Sequence, residues 1–134
     1  MAEAIVDGAV VGTVHVTRHD ENGTWLIALD GEHDVFTAPV IATHTDGIWA
    51  DCRMVVVDLT RATLIDCRIV AWLLRTEDAL TEAGGAVLRV VHGDAANRDG
   101  AVARIVDALD LCQRLDCYPT LEAALDASSP VQGV

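Results

Sequence analysis

The chain has 134 residues, with 21 acidic side chains against nine basic ones and a net charge of −12. That length holds one domain with a real core and is too short for two, and 51 % apolar residues mark a folded globular chain rather than a disordered one. So acidic a balance repels DNA, RNA and anionic membranes, and 4 % aromatic residues leave little for base stacking.

Residues 1–9 read as a ragged lead-in. They carry Glu3 and Asp7 where a secretory leader would be basic, and the apolar runs fall far short of the ~18–20 residues of a membrane span. The expectation is a cytoplasmic protein whose four cysteines, Cys52, Cys67, Cys112 and Cys117, stay as free thiols. No Cys-x-x-Cys pair or histidine motif is present, so neither a metal nor another cofactor is expected.

Residues 10–17 and 24–29 are rich in β-branched and apolar residues, and Asp20-Glu21-Asn22-Gly23 between them is turn chemistry. The pattern predicts a β-hairpin. Asp34 is a candidate cap for a helix running to about residue 50, with Pro39 early in it and Val35, Phe36, Val40 and Ile41 on its apolar face. Residues 53–59, with Val55-Val56-Val57, predict a central strand covered on both faces. A tight loop follows, and then a helix opens at Asp66 or Cys67 and ends at Gly84-Gly85. Residues 86–91 predict a further buried strand. Asn97 or Asp99 opens the next helix, with Val102, Ile105, Val106 and Leu109 on one face. A short strand near residues 115–118 and a helix capped by Thr120 complete the order, and residues 128–134 read as a polar tail.

The stretch from Val55 to Cys67 is the most informative. A helix start presents free backbone N–H groups and the positive end of the helix dipole, a place suited to an anion, a phosphorylated side chain or a thiolate. Asp58-Leu59-Thr60, then Thr63-Leu64-Ile65-Asp66, then Leu73-Leu74 resemble the signature of STAS domains, the anti-sigma factor antagonists and their relatives. The family pattern is roughly D-L-S-x-[VL]-x-[FY]-[IML]-D-S-S-G-L-G-x-L. Upstream, Leu29-Asp30-Gly31-Glu32-His33-Asp34 resembles L-x-G-E-L-D, with Thr37-Ala38 at the usual spacing. Downstream, Gly84-Gly85-Ala86-Val87-Leu88-Arg89-Val90-Val91 resembles G-G-x-L-x-L-V, and Tyr118-Pro119-Thr120-Leu121-Glu122-Ala123-Ala124-Leu125 resembles Y-x-[ST]-x-E-E-A-L. The match spans about residues 10–127.

The resemblance implies a single α/β, STAS-like domain: a mixed four- to five-stranded sheet with helices mainly on one face. It also implies a partner of the histidine-kinase-like ATPase type, which is both an anti-sigma factor and a serine kinase. The unphosphorylated STAS protein binds that kinase and frees the sigma factor. The phosphoacceptor serine of the family is Cys67 here, the second serine is Arg68, and the two glycines of S-G-L-G are Ile69 and Ala71, while Asp66 is kept.

Ordinary serine phosphorylation is therefore excluded at this position. Three readings of Cys67 stand side by side: a permanently competent antagonist, a thiol redox switch activated by the helix start, and a small, quietly packed side chain. Asp66 is a helix cap first and a shaper of the partner-facing loop second, and Asp34 is read the same way. Thr60 and Thr63 are alternative phosphoacceptors or simply local backbone partners. Trp72 is read as core before hot spot. The expected partner surface comprises Glu32, His33, Asp34, Thr63, Asp66, Cys67, Arg68 and Ile69, with residues 92–97 on its rim. Arg68 and Ile69 redirect specificity, so binding to other STAS proteins, to itself or to a small ligand remains the alternative. No catalytic constellation is legible: there is no Gly-rich phosphate loop and no Gly-x-Ser-x-Gly.

Overall fold

The computed structural model describes residues 2–6, 8–93 and 100–127. Strand β1 (Ala2–Val6) pairs antiparallel with β2 (Ala9–Arg18), and β2 pairs antiparallel with β3 (Thr24–His33). Both strands of this hairpin run longer than predicted. Its turn is held by Asp20, whose Oδ1 accepts from the backbone N–H of Asn22 at 2.9 Å and of Thr24 at 3.0 Å. Accepting these bonds holds the Asp20 carboxyl below its usual value, since protonation would weaken them.

From β3 onward the sheet is parallel. The first half of β3 pairs with β4 (Met54–Asp58), and its second half pairs with β5 (Ala62–Ile65). Strand β4 continues to β6 (Val87–Val91), and β6 to β7 (Asp116–Tyr118). The result is a seven-stranded mixed sheet, where four to five strands were expected. Two strands make the difference. Residues 2–6, read as lead-in, form an edge strand. Residues 62–65, read as loop, form β5 because β3 is long enough to pair with a second partner beyond β4.

Helix α1 (Ala38–Thr45) starts later than predicted, and a 3-10 segment (Asp46–Asp51) follows it. Asp34 caps a turn instead. Its Oδ1 accepts from the N–H of Phe36 at 2.9 Å, and its own N–H donates to the Thr37 hydroxyl at 2.8 Å. Thr37 is the helix cap residue, with proline in the first two helical positions, where a missing N–H costs nothing. Helix α2 (Cys67–Glu82) follows β5 directly and buries Ile69, Leu73, Thr76 and Leu80, the three-and-four spacing of one helical face. It ends at Gly84 and Gly85, both at positive φ, where a side chain would be strained. Helix α3 (Ala101–Ala108), the single turn α4 (Leu111–Arg114) and α5 (Leu121–Asp126) complete the described elements. The Thr120 hydroxyl accepts from the Ala123 N–H at 3.1 Å, as its cap position predicts. Asn97, Asp99 and residues 128–134 lie outside the described residues, as do residues 94–97 of the expected rim.

The helices divide unequally between the two faces. Val14, Ile27, Leu29, Val55, Val57 and Val90 point from the sheet into a large apolar cluster with Ile41, Leu73, Leu80, Val102 and Val106. The opposite face is small: Val56 and Val91 meet Ala124 of α5, with Leu26, Met54, Tyr118, Leu121 and Leu125 around them. Arg89 is buried there at 2 % exposure. Its guanidinium donates to the carbonyl oxygens of Ala124 and Ala127, at 2.6 and 3.1 Å, and lies 3.4 Å from an Asp116 carboxylate oxygen. It also sits 5.4 Å from the Tyr118 ring centre. A cation on the last carbonyls of a helix favours its C-terminus.

Candidate functional site

The second half of β3 and all of β5 run side by side, so the turn after β3 and the start of α2 meet at one end of the sheet. Two glycines permit this packing. Gly31 has φ +83°, and a Cβ there would come within 2.5 Å of the Val11 carbonyl oxygen. A Cβ on Gly12 would meet the Glu32 carbonyl oxygen at 2.6 Å and the His33 Nε2 at 2.9 Å. The pairing of β3 with β5 slips between Gly31 and Glu32, and the Gly31 N–H donates to the Arg61 carbonyl at 3.1 Å. This bulge re-aims the residues that follow it.

Asp66 adopts the extended conformation of a helix cap. Its Oδ1 accepts from the N–H groups of Arg68 at 2.9 Å and Ile69 at 3.3 Å, the role predicted for it. Cys67 is the first helical residue and is exposed, as are Thr63 and Arg68. Glu32 is exposed and Asp34 half-buried beside them in the turn after β3. Thr60 is exposed, and its hydroxyl donates to Asp58 Oδ1 at 2.7 Å, next to the N–H bond at 2.9 Å, so it serves the local turn. Arg61 reaches to 3.7 Å from Asp30, a surface pair in which the arginine is largely solvated.

Two expected surface residues are interior. His33 is fully buried, with 0 % exposure, because β5 pairs against its backbone and β2 closes over it through Gly12. Its Nε2 lies 2.9 Å from the Asp30 carbonyl oxygen, which requires the proton on Nε2. Nδ1 has no hydrogen-bond partner among the described residues. Burial pushes the imidazole below its ordinary value, against weaker opposing effects from the Asp30 and Thr13 backbone and from Asp30 and Asp34. Ile69 is likewise fully buried, since the third residue of α2 turns back onto the sheet. Neither side chain can meet a partner. Trp72 is core, the first of the two readings given for it.

The structure adds residues that the sequence reading placed elsewhere. Phe36 is 70 % exposed, and Val35 and Leu64 are also exposed. With α1 starting at Ala38, Val35 and Phe36 fall in the preceding turn rather than on a buried helix face. Pro39 carried the signal: proline favours the first turn of a helix, which points to Thr37 rather than Asp34 as the cap. The assembled site is an exposed apolar and mixed-charge surface around a capped helix start. Among the described residues, no three His, Cys, Asp or Glu side chains group as a metal site, and no helix is long and apolar enough to cross a membrane.

An α/β sheet of this order, with a capped helix start beside a glycine-built turn, is the arrangement of the STAS domain, and the STAS family model matches residues 15–124. The chain belongs to the STAS domain family. It is similar to an anti-sigma factor antagonist from Mycobacterium paratuberculosis, at 28 % identity and a TM-score of 0.70, covering 85 % of this chain and 91 % of the other. It shares its fold with the anti-sigma factor antagonist SpoIIAA in its unphosphorylated form (17 % identity, TM-score 0.63, 91 % and 100 % of the two chains). The phosphorylated form of SpoIIAA, a Bacillus cell fate determinant, matches at 16 % identity and a TM-score of 0.62, over 85 % and 97 %. No curated protein matches the sequence.

Proposed function

We propose that this protein is an anti-sigma factor antagonist that works by binding alone. As a single cytoplasmic domain, it docks on an anti-sigma factor of the histidine-kinase-like ATPase type and displaces the sigma factor. The surface consists of Glu32, Asp34, Val35 and Phe36 in the turn after β3, Thr63 and Leu64 on β5, and Asp66, Cys67 and Arg68 at the start of α2. The carrying observation is the helix start itself: Asp66 caps it by accepting from two of its backbone N–H groups, and the first helical side chain is an exposed thiol where the family has its acceptor hydroxyl. A phosphate at that place adds nearly two negative charges and reverses docking. With no serine there, the surface stays in its binding state.

Phe36 supplies the apolar anchor that such a surface needs. No enzymatic step is part of this reading, because the site gathers no nucleophile and base in mutual contact.

The test is displacement. A purified complex of the ATPase and its sigma factor is mixed with the protein, and free sigma factor is measured. Release supports the proposal, and Phe36→Ala should shift it to roughly thirtyfold higher concentrations of the protein. If the ATPase retains sigma at every concentration, or the chain instead binds other STAS proteins or a copy of itself, the antagonist reading fails. A Cys67→Ser variant should accept phosphate from ATP when the ATPase is present. A variant that binds the kinase yet is never modified would show that more than the acceptor atom has been lost.

A further inference from the structure

Among the described residues six large apolar side chains are exposed, and five of them, Ile5, Val10, Val35, Phe36 and Leu64, belong to one end of the sheet. Ile5 and Val10 sit beside the turn that joins β1 to β2. Strand β2 starts where β3 ends: Gly12 stands opposite Gly31, so the residues before the one lie beside the residues after the other.

The register also fixes their face. Ala2 is buried in the large apolar cluster, opposite Val14. Alternation then sends Glu3 and Ile5 to the other face of the sheet, and both are exposed. Ala4 stands opposite Gly12 and Ile5 opposite Val10, which leaves Val11 over as a bulge in β2. The bulge turns Val10 to the side that Ile5 occupies. Beyond β3, Glu32 stands opposite Leu64, while the next pair, His33 and Ile65, is buried. Glu32 and Leu64 therefore share the outer face. Ile5, Val10, Glu32 and Leu64 form a row across the adjacent strands β1, β2, β3 and β5, spanning about 15 Å at ~4.8 Å per strand. Helix α5 packs on β4, β6 and β7, so the row lies beyond its cover, with Ile5 62 % and Val10 51 % exposed.

We propose that the β1–β2 hairpin is a second part of the docking surface, in which Ile5 and Val10 extend Leu64 into an apolar strip that seats in an apolar groove with a basic rim on the anti-sigma ATPase.

This extension rests on the antagonist reading and names the chemistry that the partner presents. Leu64 and Glu32 already belong to the docking surface, and the sheet carries the strip onward from them without a break. Ile5 and Val10 precede the matched residues 15–124, so the family pattern gives them no role. Charge selects the occupant. Glu3 and Glu32 are exposed along the strip, and the Arg61 guanidinium lies 3.7 Å from Asp30. A second copy would set these carboxylates against their own kind, on a molecule of net charge −12. Like charges facing each other across an interface cost affinity, whereas a basic rim is attracted and speeds encounter.

The test uses the full chain and the complex of the ATPase with its sigma factor. Release of sigma is titrated for the natural protein, Phe36→Ala, Ile5→Ser, Val10→Ser and Glu3→Arg, with melting followed alongside. Ile5→Ser and Val10→Ser should each raise the concentration needed by roughly tenfold, at unchanged melting, because both side chains are solvated in the free protein. Ile5→Leu should keep release at its natural concentration. Glu3→Arg should weaken release, most at low salt.

If Phe36→Ala weakens release while Ile5→Ser and Val10→Ser do not, the hairpin lies outside the interface and the antagonist reading stands alone. Release by Glu3→Arg that matches the natural protein at low salt would remove the basic rim. If the natural protein releases no sigma factor, the antagonist reading fails and the extension falls with it. A dimer of the protein alone, seen by light scattering and dissolved by Ile5→Ser, would assign the strip to a second copy and overturn the proposal.

Discussion

The two faces of the sheet are stabilised in different ways. The first face carries four helices on a continuous apolar cluster in which Ile27, Leu29, Val57, Leu73 and Leu80 are each wholly buried. The second face carries one six-residue helix, α5, whose Ala124 packs on two buried valines, Val56 and Val91, beside a buried guanidinium. On the first face many contacts share the work, and each lost side chain costs a cavity. On the second, α5 is too short to stand alone and depends on Arg89 holding its last carbonyls. Apolar bulk gives a face stability in proportion to its area. A single polar clamp gives position, and fails at one point.

Leu73→Ala should break the first face most severely. It opens a cavity beneath α2 and should cost roughly 3–5 kcal/mol in denaturant unfolding, in one cooperative transition. Arg89→Leu should cost less, about 2–3 kcal/mol, because it removes charge-assisted bonds and strands buried carbonyls. Its signature differs: hydrogen exchange should rise first in Leu121–Asp126 while α2 stays protected. Equal loosening of both helices would mean that the faces are one cooperative unit.

At the surface, Phe36→Ala should weaken partner binding by about 2 kcal/mol, roughly thirtyfold, with melting unchanged. Asp66→Ala should cost about 1 kcal/mol of stability through its lost cap bonds.

The smallest effect belongs to His33. Its folded-state value lies below the ordinary 6.5, so the unfolded chain takes up the proton first as pH falls. Stability is full above 6.5 and declines as pH falls from there towards the folded-state value, below which the loss is complete. His33→Leu should flatten this slope between neutral pH and the onset of carboxylate titration. An unchanged slope would place the titrating group elsewhere.

Much of the fold was legible because local chemistry and tertiary context agree. Val55-Val56-Val57, the Asp20 turn, the Asp66 and Thr120 caps and the Gly84-Gly85 stop all behave as their residue types dictate. The misreadings are positions decided by distant partners. Residues 62–65 carry no strand alternation strong enough to stand out, and only the length of β3 makes them β5. His33 sits on a motif that reads as surface, yet pairing with β5 and the approach of Gly12 enclose it. Ile69 seemed to alter the partner surface, whereas helical geometry turns it inward. Phe36 was assigned to a helix face because Asp34 was read as the cap, whereas Asp34 closes the turn before the helix and Pro39 places the helix start at Thr37.

Because β3 pairs with β4 and then β5 along one edge, the linker 59–61 works as a spacer of set length. One residue fewer would exchange the two sides of β5, send Leu64 inward and Ile65 outward, and rotate the first turn of α2 with them. Anyone moving the proposed partner surface onto another STAS scaffold must therefore transplant residues 59–69 as one cassette, together with Gly12 and Gly31, since copying the exposed side chains alone would graft the letters without their spacing.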